Sequence, residues 1–181
     1  FLRDFQKADL ISLINPKKDI DGMLPDSPFL SATVQGVMKI VDVIARNGMT
    51  KQSQSAGIAA GSSNPRNDDG MGWYKDTVFA VVGSEGEVGK PLVHELADKG
   101  AKEILRLDKM NPECDMSQLK KADVVISCTG VQGLIDAEMV KDGVIAIDVG
   151  LGDFDEAVYE KASLYTPRFG GVGPLTIISL M

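Results

Sequence analysis

A continuous apolar run that leads directly into a glycine-rich turn constrains this 181-residue chain most strongly. Residues 78–82 read Val-Phe-Ala-Val-Val, and residues 83–89 read Gly-Ser-Glu-Gly-Glu-Val-Gly. Residues 90–99 follow, with apolar side chains at helical spacing. Because the run is wholly apolar rather than alternating, it predicts a strand buried on both faces, then a tight turn, then a helix.

Three further short runs are rich in residues that favour β-strands. They cover residues 103–107, 124–128 and 144–149, and spacers of helical or loop length separate them. Buried strands that alternate with helices predict a parallel sheet covered on both faces. The predicted fold class is therefore α/β, a Rossmann-like, doubly wound parallel sheet.

The acidic composition argues against a nucleic-acid or anionic-membrane partner. The formal net charge is −7, and both phosphates and anionic lipids repel such a surface. The two cysteines, Cys114 and Cys128, have no CxxC spacing, and no segment has the pattern of a membrane span or a signal peptide. No metal-ligand spacing occurs. These features predict a cytoplasmic protein that binds a small molecule.

The remaining segments are assigned from local pattern. Residues 1–14 predict an amphipathic helix, which Asn15-Pro16 ends, and residues 35–47 predict another before Gly48. Residues 50–73 are rich in Ser, Gly, Asn, Gln and Asp and predict a long loop or mobile insertion. Residues 166–176 contain three glycines and two prolines, which predict a shaped loop with its amides in a preset geometry.

The turn at residues 83–89 opens a predicted helix, where backbone amides and the helix dipole can hold a pyrophosphate. Its spacing is GxxGxxG rather than GxGxxG, and tight strand-to-helix turns without a ligand also use glycine. Asp108 ends the next strand about twenty residues later, where a carboxylate can accept both ribose hydroxyls of an adenosine. A cofactor site and a purely structural turn, with Asp108 as a capping residue, both remain open.

Two more segments, taken with this turn, carry a family resemblance. Residues 17–22 read Lys-Lys-Asp-Ile-Asp-Gly, and residues 170–176 read Gly-Gly-Val-Gly-Pro-Leu-Thr. In this order the three segments resemble the tetrahydrofolate dehydrogenase/cyclohydrolase family, over most of the chain except its two ends and the polar stretch. The resemblance implies NAD(P)-dependent oxidation of 5,10-methylenetetrahydrofolate to the methenyl form, then hydrolysis to 10-formyltetrahydrofolate.

The resemblance also implies site residues. Asp21 would hold the pterin ring, since a carboxylate can accept two hydrogen bonds from a 2-amino-4-oxo pyrimidine edge. The other residues implied at the folate, in a loop lining the cleft between two domains, are Gly170, Gly171, Gly173, Pro174 and Thr176. The residues implied at the cofactor are Gly83, Ser84, Glu85, Gly86, Val88, Gly89, Asp108, Thr129, Gly130 and Leu151.

The identity of the dinucleotide depends on the residues that follow Gly83. The family usually has an Arg-Ser pair there, which suits a ribose 2′-phosphate, whereas this chain has Ser84 and Glu85. The absence of the arginine and the presence of Glu85 and Asp108 act against a phosphate dianion, because carboxylates repel it. NAD is therefore favoured over NADP.

The family's catalytic Tyr-x-x-x-Lys pair does not occur in this sequence, so no catalytic residue is assigned. The resemblance implies that an amino-terminal part and a carboxy-terminal helix are lacking. The predicted organisation is a remnant of a second, folate-binding α/β domain at residues 1–49, a polar insertion or linker at 50–75, a dinucleotide-binding domain at 76–168, and the glycine-rich cleft loop with the start of a return to the first domain at 169–181. A homodimer that binds cofactor but turns over little substrate is expected. The alternative is a non-catalytic dinucleotide- or folate-binding module.

Overall fold

The computed structural model describes residues 11, 13–22, 24, 27–46, 71–110 and 114–180. Most of the helix predicted for residues 1–14 lies outside these ranges, and so does the polar stretch at residues 50–70.

A five-stranded parallel sheet organises the described residues. Its strands are β1 (Val78–Val82), β2 (Glu103–Leu107), β3 (Val124–Ser127), β4 (Ile145–Asp148) and β5 (Leu164–Tyr165). Their order across the sheet is β2-β1-β3-β4-β5, and every neighbouring pair is parallel. The strands predicted from the four apolar runs are confirmed to within one residue at each end, and so is the fold class.

Helices flank this sheet. The described residues contain α1 (Ala32–Arg46), α2 (Met71–Asp76), α3 (Gly89–Asp98), α4 (Glu156–Lys161) and α5 (Val172–Ser179), with 3₁₀ helices at Pro16–Lys18 and Met116–Lys121. The helices predicted at residues 35–47 and 90–99 correspond to α1 and α3.

Alternation along the strands divides the core into two layers. On β1, Phe79 and Val81 face one layer, whereas Ala80 and Val82 face the other. The first layer holds side chains from α1, α2, α3 and α5, and the second holds the Met116–Lys121 helix, the β3–β4 connection and α4. Because both faces of each central strand are buried, β1 is wholly apolar in sequence, and β3 and β4 are apolar up to a buried polar residue at their carboxyl ends.

Helix α1 packs within the first of these layers. Val34, Val37 and Val41 are fully buried in the same cluster as the sheet residues. Gly36 brings α1 close to α5, because an added Cβ there would lie 3.2 Å from the backbone nitrogen of Thr176. The boundary predicted between residues 49 and 76 remains a prediction, since α1 and the sheet share one hydrophobic cluster.

The prediction of a loop over residues 71–73 is wrong, because helix α2 covers them. Trp73 and Tyr74 are 8% and 1% exposed, and both rings pack against Phe79 at centroid distances of 5.5 and 5.8 Å. Large aromatic side chains contribute enough burial to order a short helix beside a polar stretch.

The loop predicted over residues 166–176 is also only partly correct. Helix α5 begins at Val172, within the glycine-rich segment, and Thr176 Oγ1 donates to the Val172 carbonyl at 3.2 Å. Pro174 is the third residue of this helix, where a backbone N–H has no intrahelical acceptor. The proline therefore costs the helix no hydrogen bond, and a helix can begin inside a segment whose glycines and prolines alone predict a loop.

Partly buried hydrogen bonds to Asp42 join α1 to α2 and to the residue that follows α3. Tyr74 donates to Asp42 Oδ1 at 2.8 Å, and Lys99 Nζ contacts the same carboxylate at 3.2 and 3.3 Å. Burial, with the Asp42 carboxylate, raises the pKa of Tyr74, so the phenol remains a donor. We expect Tyr74→Phe to lower the free energy of unfolding by about 1–2 kcal/mol in urea titrations, because the Asp42 carboxylate loses a charge-assisted bond.

Tyr165→Phe is the matched control for that measurement. The Tyr165 side chain is 51% exposed, so its loss of a hydroxyl is expected to change stability by less than about 0.5 kcal/mol. Equal effects of the two substitutions would show that the Tyr74 bond does not stabilise the helix contact.

Candidate functional site

The carboxyl ends of β1 and β3 meet where the strand order reverses. Strand β1 lies between β2 and β3, so the chain leaves it first to one side and then to the other. Gly83 follows β1 and Thr129 follows β3; a Cβ added to Gly83 would lie 3.2 Å from Thr129 Cγ2. Open parallel α/β sheets bind their ligands at such a switch point.

The glycine turn between β1 and α3 has a backbone that other residues would not fit. Gly83 has φ +83°, and its amide donates to the Leu107 carbonyl at 2.8 Å. A Cβ on Gly89 would lie 2.1 Å from the Gly83 carbonyl oxygen. The helix can therefore approach the end of the strand this closely only with glycine at residue 89.

Two backbone amides are available at the start of α3. The Lys90 amide donates to the Gly86 carbonyl at 3.0 Å, and Pro91 has no N–H. The amides of Val88 and Gly89 make no hydrogen bond within the described part of the chain. Such amides, together with the helix dipole, can bind an anion such as a pyrophosphate.

Charged side chains connect the turn to the end of β2. Arg106 Nη2 donates to Glu85 Oε1 at 2.6 Å, and the Glu85 amide donates to Asp108 Oδ2 at 3.1 Å. Asp108 Oδ1 accepts from the Met110 amide at 2.9 Å. Each carboxylate oxygen can accept a second bond, so Asp108 braces the turn and retains capacity for a ribose. Sequence analysis missed Arg106, although it lies two residues before Asp108 and so on the same side of β2.

A buried carboxylate holds the loop after β3. Asp153 is fully buried, and its Oδ2 accepts from the Ser127 hydroxyl at 2.6 Å, the Thr129 amide and hydroxyl at 2.9 and 2.8 Å, and the Gly130 amide at 3.2 Å. A Cβ on Gly150 would lie 2.2 Å from Asp153 Oδ1. The polar groups predicted to meet the cofactor at Thr129 and Gly130 are thus turned towards Asp153.

The loop after β4 is strained. Leu151 has φ +66°, the one positive φ outside glycine among the described residues, and its side chain is 58% exposed. A left-handed conformation costs a non-glycine residue about 1–2 kcal/mol. Asp148 Oδ2 accepts from the Gly152 amide at 2.6 Å, which fixes the loop. Leu151 is therefore exposed at the carboxyl edge of the sheet. Strained backbone conformations of this kind cluster at functional sites.

Sequence analysis also missed three residues around this loop. Asp148 and Asp153 flank a turn with two glycines directly after a strand, and this pattern was the available signal. The guanidinium of Arg168 lies against Gly152, because a Cβ added to Gly152 would be 3.2 Å from Arg168 Cζ. The two residues are sixteen positions apart, so no local sequence pattern predicts this contact.

A cleft of about 680 Å³ lies beside the glycine turn, whose residues 85–88 line part of it. Asp21, Thr33 and Phe29 line one wall, and Glu85, Val88 and His94 line the other. Gly22, with φ +64°, allows this wall to turn, because a Cβ there would lie 2.2 Å from the Phe29 carbonyl oxygen. The cleft brings the first described segment of the chain and the glycine turn together.

The two aspartates of residues 17–22 differ in environment. Asp19 is 2% exposed, and its Oδ2 accepts from the Leu24 amide at 2.9 Å. Asp21 is exposed and lines the cleft. The first aspartate thus shapes the turn, whereas the second has its carboxylate open to a ligand.

The resemblance implies that the Gly170–Thr176 segment lines this cleft, but none of these residues is among those that line it in the structure. The residues leading into the segment lie instead beside β4, where Thr166 Oγ1 accepts from the Asp148 amide at 2.8 Å. Gly170 is exposed, with φ +82°, and no other described atom lies within 4 Å of a Cβ placed on it. Ser84 is 1% exposed, which leaves almost no surface for a ligand.

Burial raises the pKa of Cys128 from 9.0 to about 12, with help from the Asp153 and Asp148 carboxylates. Folding therefore favours the protonated thiol, and this stabilisation is complete below pH 9 and is lost as the pH rises towards 12. The stability difference between the native protein and Cys128→Ala is expected to shrink above pH 9 in urea titrations with reductant. A difference that is constant from about pH 7 to about pH 11 would contradict this account.

Two negative findings apply to the described residues alone. They contain no cluster of three His, Cys, Asp or Glu side chains that could hold a metal ion. None of their helices combines the length and apolar character needed to cross a bilayer.

A doubly wound parallel sheet with a glycine turn at its switch point is the arrangement of dinucleotide-binding α/β domains. Residues 71–181 match the family model described as tetrahydrofolate dehydrogenase/cyclohydrolase, NAD(P)-binding domain. The chain therefore belongs to the tetrahydrofolate dehydrogenase/cyclohydrolase family.

Individual relatives agree with this assignment. The chain is 33% identical to the bifunctional protein FolD of Helicobacter hepaticus, over 97% of this chain and 58% of that protein. The crystal structure of FolD from Campylobacter jejuni superposes with a TM-score of 0.71 at 28% identity, over 97% of this chain and 59% of that one. A Trypanosoma brucei methylenetetrahydrofolate dehydrogenase-cyclohydrolase, solved with NADP and an inhibitor, shares the fold (TM-score 0.66, 23% identity, 98% and 60% covered). The chain thus spans less than two thirds of the length of these relatives.

Proposed function

We propose that this chain binds a nicotinamide dinucleotide on the glycine turn and a tetrahydrofolate derivative in the adjoining cleft. The parent activity would be oxidation of 5,10-methylenetetrahydrofolate to the methenyl form and hydrolysis to 10-formyltetrahydrofolate, as the names of the bifunctional relatives suggest. The observation that carries the proposal is the shared cleft, which Asp21, Glu85 and Val88 all line.

The geometry supports a distinct role for each part of the dinucleotide site. The Val88 and Gly89 amides would bind the pyrophosphate, and Gly83 and Gly86 would let its oxygens approach the backbone. Asp108 would accept the adenosine ribose hydroxyls with its remaining lone pairs. Thr129, Gly130 and Leu151 would frame the nicotinamide end at the carboxyl edge of β3 and β4. A nicotinamide held there would supply a hydride acceptor for the oxidation.

The folate side depends on Asp21. Its carboxylate is exposed in the cleft, and the backbone beside it is fixed by Gly22 and by the Asp19–Leu24 hydrogen bond. We propose that it accepts two hydrogen bonds from the pterin ring. We further propose that Gly170, Gly171, Gly173, Pro174 and Thr176 complete the site when a ligand is bound, because they are not among the residues that line the cleft in this structure.

The contribution of this chain to the chemistry is binding and positioning. The family's Tyr-x-x-x-Lys pair does not occur in the sequence, and a positioned general acid or base contributes about 10²–10⁴-fold to rate. We therefore expect binding of both ligands with little or no turnover by this chain alone.

We propose NAD as the preferred dinucleotide. Two carboxylates, Glu85 and Asp108, lie between the turn and the end of β2, where a 2′-phosphate would meet them. The Trypanosoma brucei neighbour was solved with NADP, and at 23% identity its choice of cofactor does not transfer to these residues.

Calorimetric titration of the chain with NAD and, separately, NADP tests this function without any requirement for turnover. Saturable binding of NAD, tighter than that of NADP, is the expected result. Tighter binding of NADP would refute the preference, and binding of neither would refute the cofactor site.

The folate assignment is tested by titration with tetrahydrofolate. Asp21→Asn is expected to weaken its binding at least about tenfold, because the amide cannot accept both hydrogen bonds. Asp142→Asn is the matched control, since that carboxylate is 90% exposed and lies beside Lys161, outside the residues that line the cleft. An equal effect of both substitutions would refute the role of Asp21.

We also propose a homodimer, as the family resemblance implies. Sedimentation equilibrium should give twice the monomer mass of 19.4 kDa, and a mass of 19.4 kDa at micromolar concentration would contradict it.

A further inference from the structure

We propose that Glu85 sets the preference between NAD and NADP by engaging Arg106, a guanidinium that would otherwise bind the 2′-phosphate. This inference rests on the proposed dinucleotide site. It assigns the specificity to one ion pair rather than to the absence of an arginine from the turn itself.

The position of the pair supports this role. Arg106 Nη2 and Glu85 Oε1 are 2.6 Å apart, and the Glu85 amide donates to Asp108 Oδ2 at 3.1 Å. Arg106 and Asp108 are two residues apart at the end of β2, so their side chains lie on the same side of that strand. The end of this strand is where the adenosine ribose lies in dinucleotide-binding α/β sheets. A 2′-phosphate would therefore be placed beside all three side chains.

The exposure of the pair indicates that a ligand can reach both partners. The Arg106 and Glu85 side chains are 49% and 40% exposed. Exposed ion pairs contribute little to stability, so separating these two does not unfold the turn. Arginine binds phosphate through two parallel hydrogen bonds, which makes it well suited to a 2′-phosphate once its partner is removed.

The charge balance explains why NADP is disfavoured while Glu85 is present. A bound 2′-phosphate would have to displace the Glu85 carboxylate from Arg106 and would then face both that carboxylate and Asp108. Replacing Glu85 with glutamine removes one repulsion and leaves Arg106 available to the phosphate. NAD carries no charge at this position and is affected much less.

The test measures the ratio of the dissociation constants for NADP and NAD by calorimetry. In Glu85→Gln this ratio is expected to fall at least about tenfold, and in the double variant Glu85→Gln/Arg106→Ala the fall should be lost. The fragments 2′,5′-ADP and AMP should show the same change, because they differ at the same phosphate. Thermal unfolding by circular dichroism verifies that each variant is folded.

Glu103→Gln is the matched control, because it removes the same charge from the exposed start of β2, about 10 Å from Arg106 along the strand. Its ratio should stay within about twofold of the native value, since screening weakens effects at that distance. If Glu85→Gln binds NAD but leaves the ratio of the NADP and NAD dissociation constants unchanged, this inference alone is overturned. It is also overturned if the ratio falls to the same extent in the double variant that lacks Arg106. Binding of neither dinucleotide by the native chain would overturn the proposed function and this inference with it.

Discussion

Asp153→Ala is expected to lower the free energy of unfolding by about 3–5 kcal/mol, measured by urea titration. Asp153 is fully buried, and one of its oxygens accepts from the Ser127 hydroxyl, from both donors of Thr129 and from the Gly130 amide. Alanine would leave the fully buried Ser127 hydroxyl and the partly buried Thr129 donors without their acceptor, and a buried unpaired group costs about 1–3 kcal/mol unless water enters. The loop after β3 should also lose its fixed position, which would weaken dinucleotide binding.

Asp155→Ala provides the control for Asp153. Asp155 is exposed and caps α4 by accepting from the Ala157 amide at 3.0 Å. The loss of such a cap lowers stability by about 1 kcal/mol. If Asp153→Ala were no more destabilising than Asp155→Ala, the four hydrogen bonds to Asp153 would not hold the loop as described.

Gly89→Ala is expected to lower the free energy of unfolding by about 2–4 kcal/mol and to weaken dinucleotide binding. The added Cβ would lie 2.1 Å from the Gly83 carbonyl oxygen and 2.9 Å from Ser84 Cα. These are backbone atoms, so no side chain can rotate away, and α3 has to move from the end of β1. Thermal unfolding and calorimetric titration with NAD measure the two effects.

Gly173→Ala is the matched control for Gly89. It makes the same change near the start of α5, where no described atom beyond the neighbouring residues and the backbone of α5 itself lies within 4 Å of the new Cβ. Alanine in a helix is about 0.8–1 kcal/mol more favourable than glycine, so stability should be unchanged or slightly higher. Tolerance of alanine at both positions would show that the close approach of α3 to the turn does not require glycine.

The sheet could be predicted because its strands are buried on both faces. Each central strand therefore appears in the sequence as a short, largely apolar run, and the glycines after β1 mark the turn into α3. Strand β5 was missed because it has only two residues, Leu164 and Tyr165, too few to show a pattern. Helix α2 was missed because its order comes from packing of Trp73 and Tyr74 against Phe79, which is a tertiary effect.

The candidate site could be predicted only where the backbone determines it. The roles of Gly83 and Gly89 follow from glycine's freedom at a turn, and their geometry agrees with that interpretation. The pairing of Glu85 with Arg106 joins residues 21 positions apart, so no local pattern reveals it. The same holds for Asp153, whose partners lie at least 23 positions earlier in the chain.

The central claim is that a dinucleotide binds where β1 turns into α3, and amide chemical-shift mapping by NMR tests it most directly. During titration with NAD, the largest shifts are expected at the Val88 and Gly89 amides, which have no acceptor among the described residues, with smaller shifts at Glu85 and Gly130. Saturable binding with its largest shifts away from the glycine turn, or no saturable binding at all, would contradict the account.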